Sequence, residues 1–163
     1  MNYNYVLSNN LVIDSSVSLD ATIINALDQV HLLVQQRLQA FAHQPEFTEK
    51  MGLAFGIGVE VDFLRTAWLA GDYSIFPVIE IRNTEELNGA NGAFSTETGR
   101  IYLAQEFISN NIDNLELAVN VLLEEIGHKV DDVLNNTDSA GDEGAIFLAL
   151  VQGESLSEEV LQK

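Results

Sequence analysis

LEEIGHKVDD, Leu123 to Asp132, is the stretch on which the reading of this chain turns. It sits inside a longer pattern, Leu115 to Leu134, whose apolar residues return at helical spacing. With Leu122 at zero degrees, Leu115, Val119, Ile126, Val130 and Val133 fall with it on a stripe about 80° wide at about 100° per residue. Glu124, His128 and Asp131 lie on roughly the opposite face, with Glu125 and Asp132 between the two. Such a helix has an apolar back and a front on which one histidine stands among carboxylates. Glu124 and His128, one turn apart, project from the same side.

That arrangement has a chemical use. Two donors at i and i+4 grip one metal from a rigid helix, and a carboxylate between them takes the proton of the attacking water. The zincin metallopeptidases write this as His-Glu-x-x-His. Here the five positions read Glu124-Glu125-Ile126-Gly127-His128. The base position, Glu125, and the second ligand, His128, are kept, and the first ligand is a carboxylate.

The likeness runs further. Glu125-Ile126-Gly127-His128-Lys129-Val130-Asp131-Asp132 resembles the active helix of anthrax-lethal-factor-type zincins, where the run is Glu-Phe-Gly-His-Ala-Val-Asp-Asp. In that family a glutamate on a following helix is the third ligand, and GDEGAIFLAL, Gly141 to Leu150, offers Glu143. GAFSTETGRIYL, Gly92 to Leu103, is similar to the loop and edge strand that precede the active helix in many zincins. Extended substrates pair with that strand by main-chain hydrogen bonds, which implies a peptide or protein partner along Arg100 to Leu103. Phe76 to Gly153 also resembles a zincin-like domain of large secreted cyanobacterial proteins, often found beside calcium-binding repeats. Its shared marks are Glu-Glu-x-Gly-His-x-x-Asp and Gly-Asp-Glu-Gly.

The resemblance implies an α+β zincin-like domain over residues 1–163, with a small sheet and a long active-site helix behind a helical N-terminal portion. It implies Glu124, His128 and Glu143 as metal ligands and Glu125 as catalytic base; Asp131 and Asp132, one turn beyond His128, are placed to orient it. The cofactor would be a divalent metal, Zn, Mn or Fe. Two carboxylates and one imidazole make a harder, more anionic set than the usual zincin ligands, and carboxylates suit Mn, Ca or Mg while imidazole favours Zn, Ni or Fe. The same residues have other readings. Glu124 and Glu143 can pair with a cationic His128 without metal, leaving an inactive zincin-fold module for binding or assembly. Asp142-Glu143 can cap a helix, and Asp131 and Asp132 can form a solvated acidic edge. Glu125-x-x-His128 with Asp28-x-x-His31 would suit a carboxylate-rich helical metal protein, although strands do not belong in such a bundle.

The rest of the chain fits one domain. At 163 residues and 47% hydrophobic content it can bury a core without staples, and it has no cysteine. A net charge of −18, from 25 acidic residues against seven basic ones, argues against a nucleic-acid partner, since phosphate binding needs a basic surface. No apolar run is long enough to span a membrane, and MNYNYVLSNNLVIDSS lacks the marks of a signal peptide. Compartment stays unassigned by the residues themselves; the family likeness implies a secreted setting. The helical pattern reaching Lys163 implies a natural chain that continues.

Residues 1–20 read as irregular, with at most a short strand over Tyr5 to Ile13. Residues 21–70 read as helical: one helix from Asp20 to His43, ended by Pro45, and a second region from Phe47 to Ala70 split at Gly56 and Gly58. Strands follow at Phe76–Asn83 and Arg100–Phe107, with Asn83–Gly99 as a long surface loop between them. A short helix from Glu143 to Val151 and an acidic turn over Leu156–Leu161 complete the pattern. His31 reads as a packed histidine, His43 as a helix-end residue and Trp68 as a core anchor.

Overall fold

A computed structural model describes residues 3–7, 12–135 and 142–153. Helix α1 (Ala21–Ala42) begins where Asp20 caps it, the carboxylate accepting from the Ile23 amide at 3.0 Å. Its stripe of Ile23, Leu27, Val30, Val34, Leu38 and Phe41 is buried. His43 ends it as the C-terminal cap. Helices α2 (Phe47–Phe55) and α3 (Asp62–Leu69) are separate because Gly56 takes a φ of 114°, which breaks the helical path at low steric cost only in glycine.

A five-stranded mixed sheet stands against these helices. Its strands are β1 (Tyr3–Val6), β2 (Val12–Ser15), β3 (Ile79–Arg82), β4 (Gly92–Phe94) and β5 (Ile101–Ala104), in the order β1-β2-β3-β5-β4. β2, β3 and β5 are parallel, and the two edges are antiparallel to their neighbours. Alternation divides the faces. Ile13, Ile79 and Ile101 stand in register and point into the core, whereas Asp14, Glu80 and Tyr102 form the next row on the other face. Arg100 crosses that outer face and donates to Asp14 at 2.7 Å and to Glu80 at 2.9 Å.

The architecture is α+β, as expected, but three local expectations are corrected. The described part of residues 1–20 holds two strands where an irregular segment with at most one is expected: β1 and β2 pair from Tyr3 with Ser15 to Val6 with Val12. Each strand is only four residues long, too short for periodicity to stand out among Asn and Ser. The Asn83–Gly99 segment holds a 3-10 turn, Thr84–Leu87, and the edge strand β4. The strand expected to reach Phe107 stops at Ala104, where helix α4 (Gln105–Asn110) starts. The acidic turn at Leu156–Leu161 lies outside the described residues.

Helices α5 (Glu116–Leu134) and α6 (Glu143–Val151) complete the fold and cross at two glycines. A Cβ on Gly127 would meet the Gly144 Cα at 2.8 Å and the Phe147 Cβ at 3.0 Å. Backbone therefore lies on backbone. Phe147 passes from this crossing into an aromatic cluster, its ring 6.0 Å from Phe41, 5.7 Å from Phe55 and 6.2 Å from Trp68. Trp68 is fully buried, as expected of a core anchor. The crossing also changes the expected character of α5. Leu123, Gly127 and Asp131 are buried against the chain that covers their side, while Val133, at the foot of the apolar stripe, is 42% exposed.

Gly127→Ala is expected to destabilise the fold by about 1–3 kcal/mol, because the added methyl overpacks a contact with no room to yield. The better helix propensity of alanine offsets at most about 1 kcal/mol of this. A lowered urea midpoint at unchanged m-value is the measurement; an unchanged or raised midpoint would show that the crossing can open at no cost.

Candidate metal centre

The first turn of α6 rests on α5 between Glu124 and His128. A Cβ on Gly144 would lie 2.6 Å from the Glu124 carbonyl oxygen and 2.7 Å from the His128 Nε2. The imidazole thus occupies the space that any side chain at 144 would need. Asp142 stands immediately before this turn and caps it, its Oδ1 accepting from the Ala145 amide at 3.3 Å. One carboxylate oxygen remains for other work.

Among the described residues, Glu124, His128 and Asp142 form a group whose donor atoms all lie within 4.8 Å of one another. Ligand atoms on one tetrahedral ion stand roughly 3–3.5 Å apart when each is about 2.1 Å from it. Small side-chain rotations would close that difference. The donor set is two carboxylates and an imidazole, so a divalent cation fits the residues present, although nothing in the geometry selects among Zn, Mn and Fe.

The expected ligands are therefore brought together in part. Glu124 and His128 meet as the i, i+4 spacing requires. The third donor in the group is Asp142; Glu143, the glutamate that the family likeness supplies, stands outside it and is buried at 7% exposure. The reason is positional. Asp142 precedes the helix and projects back over its N-terminus, whereas Glu143 opens the helix and is carried to its packed side. An aspartate before an apolar helical run marks Asp142 as a cap, but it does not show that this cap stands beside Glu124 and His128.

Asp131 and Asp132 also separate. Asp131 is buried and accepts from the Asn135 Nδ2 at 2.7 Å; the same amide donates to the Phe55 carbonyl at 3.2 Å and so ties the end of α5 to the end of α2. Asp132 is exposed. His31 is buried, its Nδ1 2.8 Å from the Leu27 carbonyl, and burial holds its pKa below the ordinary value.

Glu125 occupies a different side of α5. Val121, one turn before it, packs on Gly92, where a Cβ would come within 2.6 Å of the Val121 Cγ1. Lys129, one turn after it, has its ammonium 5.9 Å from the centre of the Phe94 ring. Gly92 and Phe94 are the ends of β4, so Glu125 lies level with the middle of that strand. The expected edge strand at Arg100–Leu103 is corrected here. β5 is paired on both sides, with β3 and with β4, and among the described residues β4 is the outer strand with a free edge on the α5 side of the sheet.

Electrostatics follow from this crowding. Burial pushes the Glu125 carboxyl up to about 7; Glu124 and Asp142 add to the rise and His128 opposes it. Burial also raises Glu124, with Asp142 adding and His128 opposing. Three carboxylates share one histidine. A cation at the centre would relieve that repulsion.

No protein-family model, no curated protein and no solved structure matches this chain. No helix among the described residues is long and apolar enough to cross a membrane.

Two outcomes are expected. In chelator-treated protein, Glu125 holds its proton more tightly folded than unfolded, so its stabilisation is complete below about 4.5 and is lost as pH rises through about 7. Stability should fall over that window more steeply in the wild type than in Glu125→Gln, by on the order of 1 kcal/mol after solvent screening. Parallel curves would remove the buried carboxylate from the account. Gly144→Ala should displace the imidazole and weaken divalent-cation binding at least tenfold in calorimetric titration; unchanged binding would show that Nε2 needs no such space.

Proposed function

We propose that this chain is a zincin-type, metal-dependent peptide hydrolase domain, with Glu124, His128 and Asp142 as the ligand set and Glu125 as the general base. The observation that carries the reading is the convergence of three donors beside a further carboxylate, Glu125, whose proton affinity is poised near neutrality. A base with a pKa near the working pH is best placed to take a proton from water and return it to the leaving amine. When bound, the cation would act as a Lewis acid on the scissile carbonyl.

The chain's own residues supply the rest. His128 is oriented by the close seat of Gly144. Glu125 holds the transferred proton on its carboxylate, at a position level with β4. The free edge of β4, rather than Arg100–Leu103, would pair with an extended peptide. The parallel core of the sheet and the edge strand beside α5 are consistent with a zincin-like arrangement.

A second reading has its own support. Asp142 is already engaged as a helix cap and Glu124 replaces an imidazole, which makes the set more anionic than a hydrolytic zinc site requires. On that reading the domain binds partners without cutting them. The five-stranded sheet leaves no place for the all-helical carboxylate bundle.

Elemental analysis of protein purified without chelator is expected to find one equivalent of Zn, Mn or Fe. His128→Ala and Asp142→Ala should lose it, and Glu143→Gln should keep it. Cleavage of unstructured peptides should fall about 10²- to 10⁴-fold in Glu125→Gln at unchanged metal content. Protein without metal, or cleavage that survives Glu125→Gln, would overturn the hydrolase; metal without cleavage would favour the binding module.

A further inference from the structure

The chain has few cations, and almost all are engaged. Arg37 pairs with Glu116, and Arg100 with Asp14 and Glu80. Arg82 pairs with Glu80, Arg65 donates to the carbonyls of Ala42 and Gln44, and Lys50 donates to the Gln44 side chain. Among the described residues, Lys129 is the lysine or arginine whose charge meets no oxygen. Its ammonium lies over the Phe94 ring, on the strand with the free edge.

Its natural helical partner would be Glu125, since glutamate four residues before lysine is the favourable orientation. Among the described residues no ion pair joins them. Lys129 is instead held toward β4 by the attraction of its ammonium to the ring face. The Glu125 carboxylate and the Lys129 ammonium thus lie along one line of α5, about 6 Å apart in helical rise.

We propose that Lys129 is a specificity-determining residue that selects an acidic side chain, aspartate or glutamate, in a peptide paired with the free edge of β4. The inference rests on the reading of the site as a peptide-binding centre. A rise of about 6 Å matches roughly two residues of extended chain, and residues two apart in a strand face the same side. The selected carboxylate therefore lies two residues from the one facing Glu125. Elsewhere the protein's 25 acidic residues make its surface unfavourable to such a substrate. Repulsion from carboxylates more than about 8 Å away is screened at physiological salt, and in the Glu125→Gln background the one nearest along α5 is neutral, so a contact at Lys129 decides locally.

The test uses the Glu125→Gln protein, which holds a peptide without cutting it. Fluorescence anisotropy compares two labelled, otherwise neutral decapeptide libraries that differ only in having Asp or its isostere Asn at one central position. The Asp library is expected to bind about threefold to fivefold tighter at 0.15 M salt. Lys129→Gln in the same background should erase the ratio, and Lys129→Arg should keep it. Lys129→Glu should invert the preference toward a library with Lys at that position, which a merely misfolded variant would not do. Equal binding of Asp and Asn peptides, or a ratio that survives Lys129→Gln, overturns the proposal. Cleavage of the same libraries by the wild-type protein is measured in parallel. Cleavage with no Asp preference overturns the role of Lys129 alone, and neither binding nor cleavage overturns the peptidase reading with it.

Discussion

The contact of Gly127 with Gly144 is the constraint on which the remaining structure depends. Ordinary side chains hold packed helices about 8–10 Å apart. Here two glycines let α6 lie on α5 at backbone distance, with the Glu124 carbonyl and the His128 ring against Gly144. The same approach carries Phe147 into the aromatic cluster between Phe41, Phe55 and Trp68. Core and candidate site are thus two sides of one crossing. A change that lifts α6 would loosen the aromatic core and separate Asp142 from Glu124 and His128 together.

The charge distribution gives this crossing its chemical character. A protein with net charge −18 repels itself, and Arg37, Arg82 and Arg100 each relieve part of that repulsion by pairing with carboxylates. The outer face of the sheet shows the device, with Arg100 held between Asp14 and Glu80. At the α5–α6 crossing the protein supplies only His128 against Glu124, Glu125 and Asp142. The imbalance is left there and nowhere so crowded among the described residues. It is the electrostatic reason to read the crossing as a place for an added cation.

The sequence made the helices legible because α1 and α5 repeat their apolar residues over several turns, and Asp20 and Gly56 mark their punctuation without ambiguity. It hid β1, β2 and β4, because strands of three or four residues offer too few alternations to rise above the loops around them. Glu124 and His128 were readable as a pair from local spacing alone. The third donor was not, because the choice between Asp142 and Glu143 depends on where the helix begins relative to α5, a tertiary fact. The burial of Asp131 was hidden for the same reason: a helical wheel shows which residues share a face, not what covers it. Edge and centre of the sheet were likewise exchanged, since strand order cannot be read from two apolar runs and a polar loop.

The parallel pairing of β2 with β3 has a consequence for how the molecule forms. Ser16 and Ile81, 65 residues apart, meet at this seam, and all of α1, α2 and α3 lie in the crossover between them. Closing so long a loop is entropically costly before any strand contact rewards it. Within the crossover, Phe47 of α2 meets Phe41 of α1 and Trp68 of α3, so these three helices can assemble on contacts of short sequence separation and shorten the effective loop. The amino-terminal strands then add to a sheet whose position the helices have already set. On that order β1 and β2 would form late and with low φ-values, and mutations there would act chiefly on the rate of unfolding.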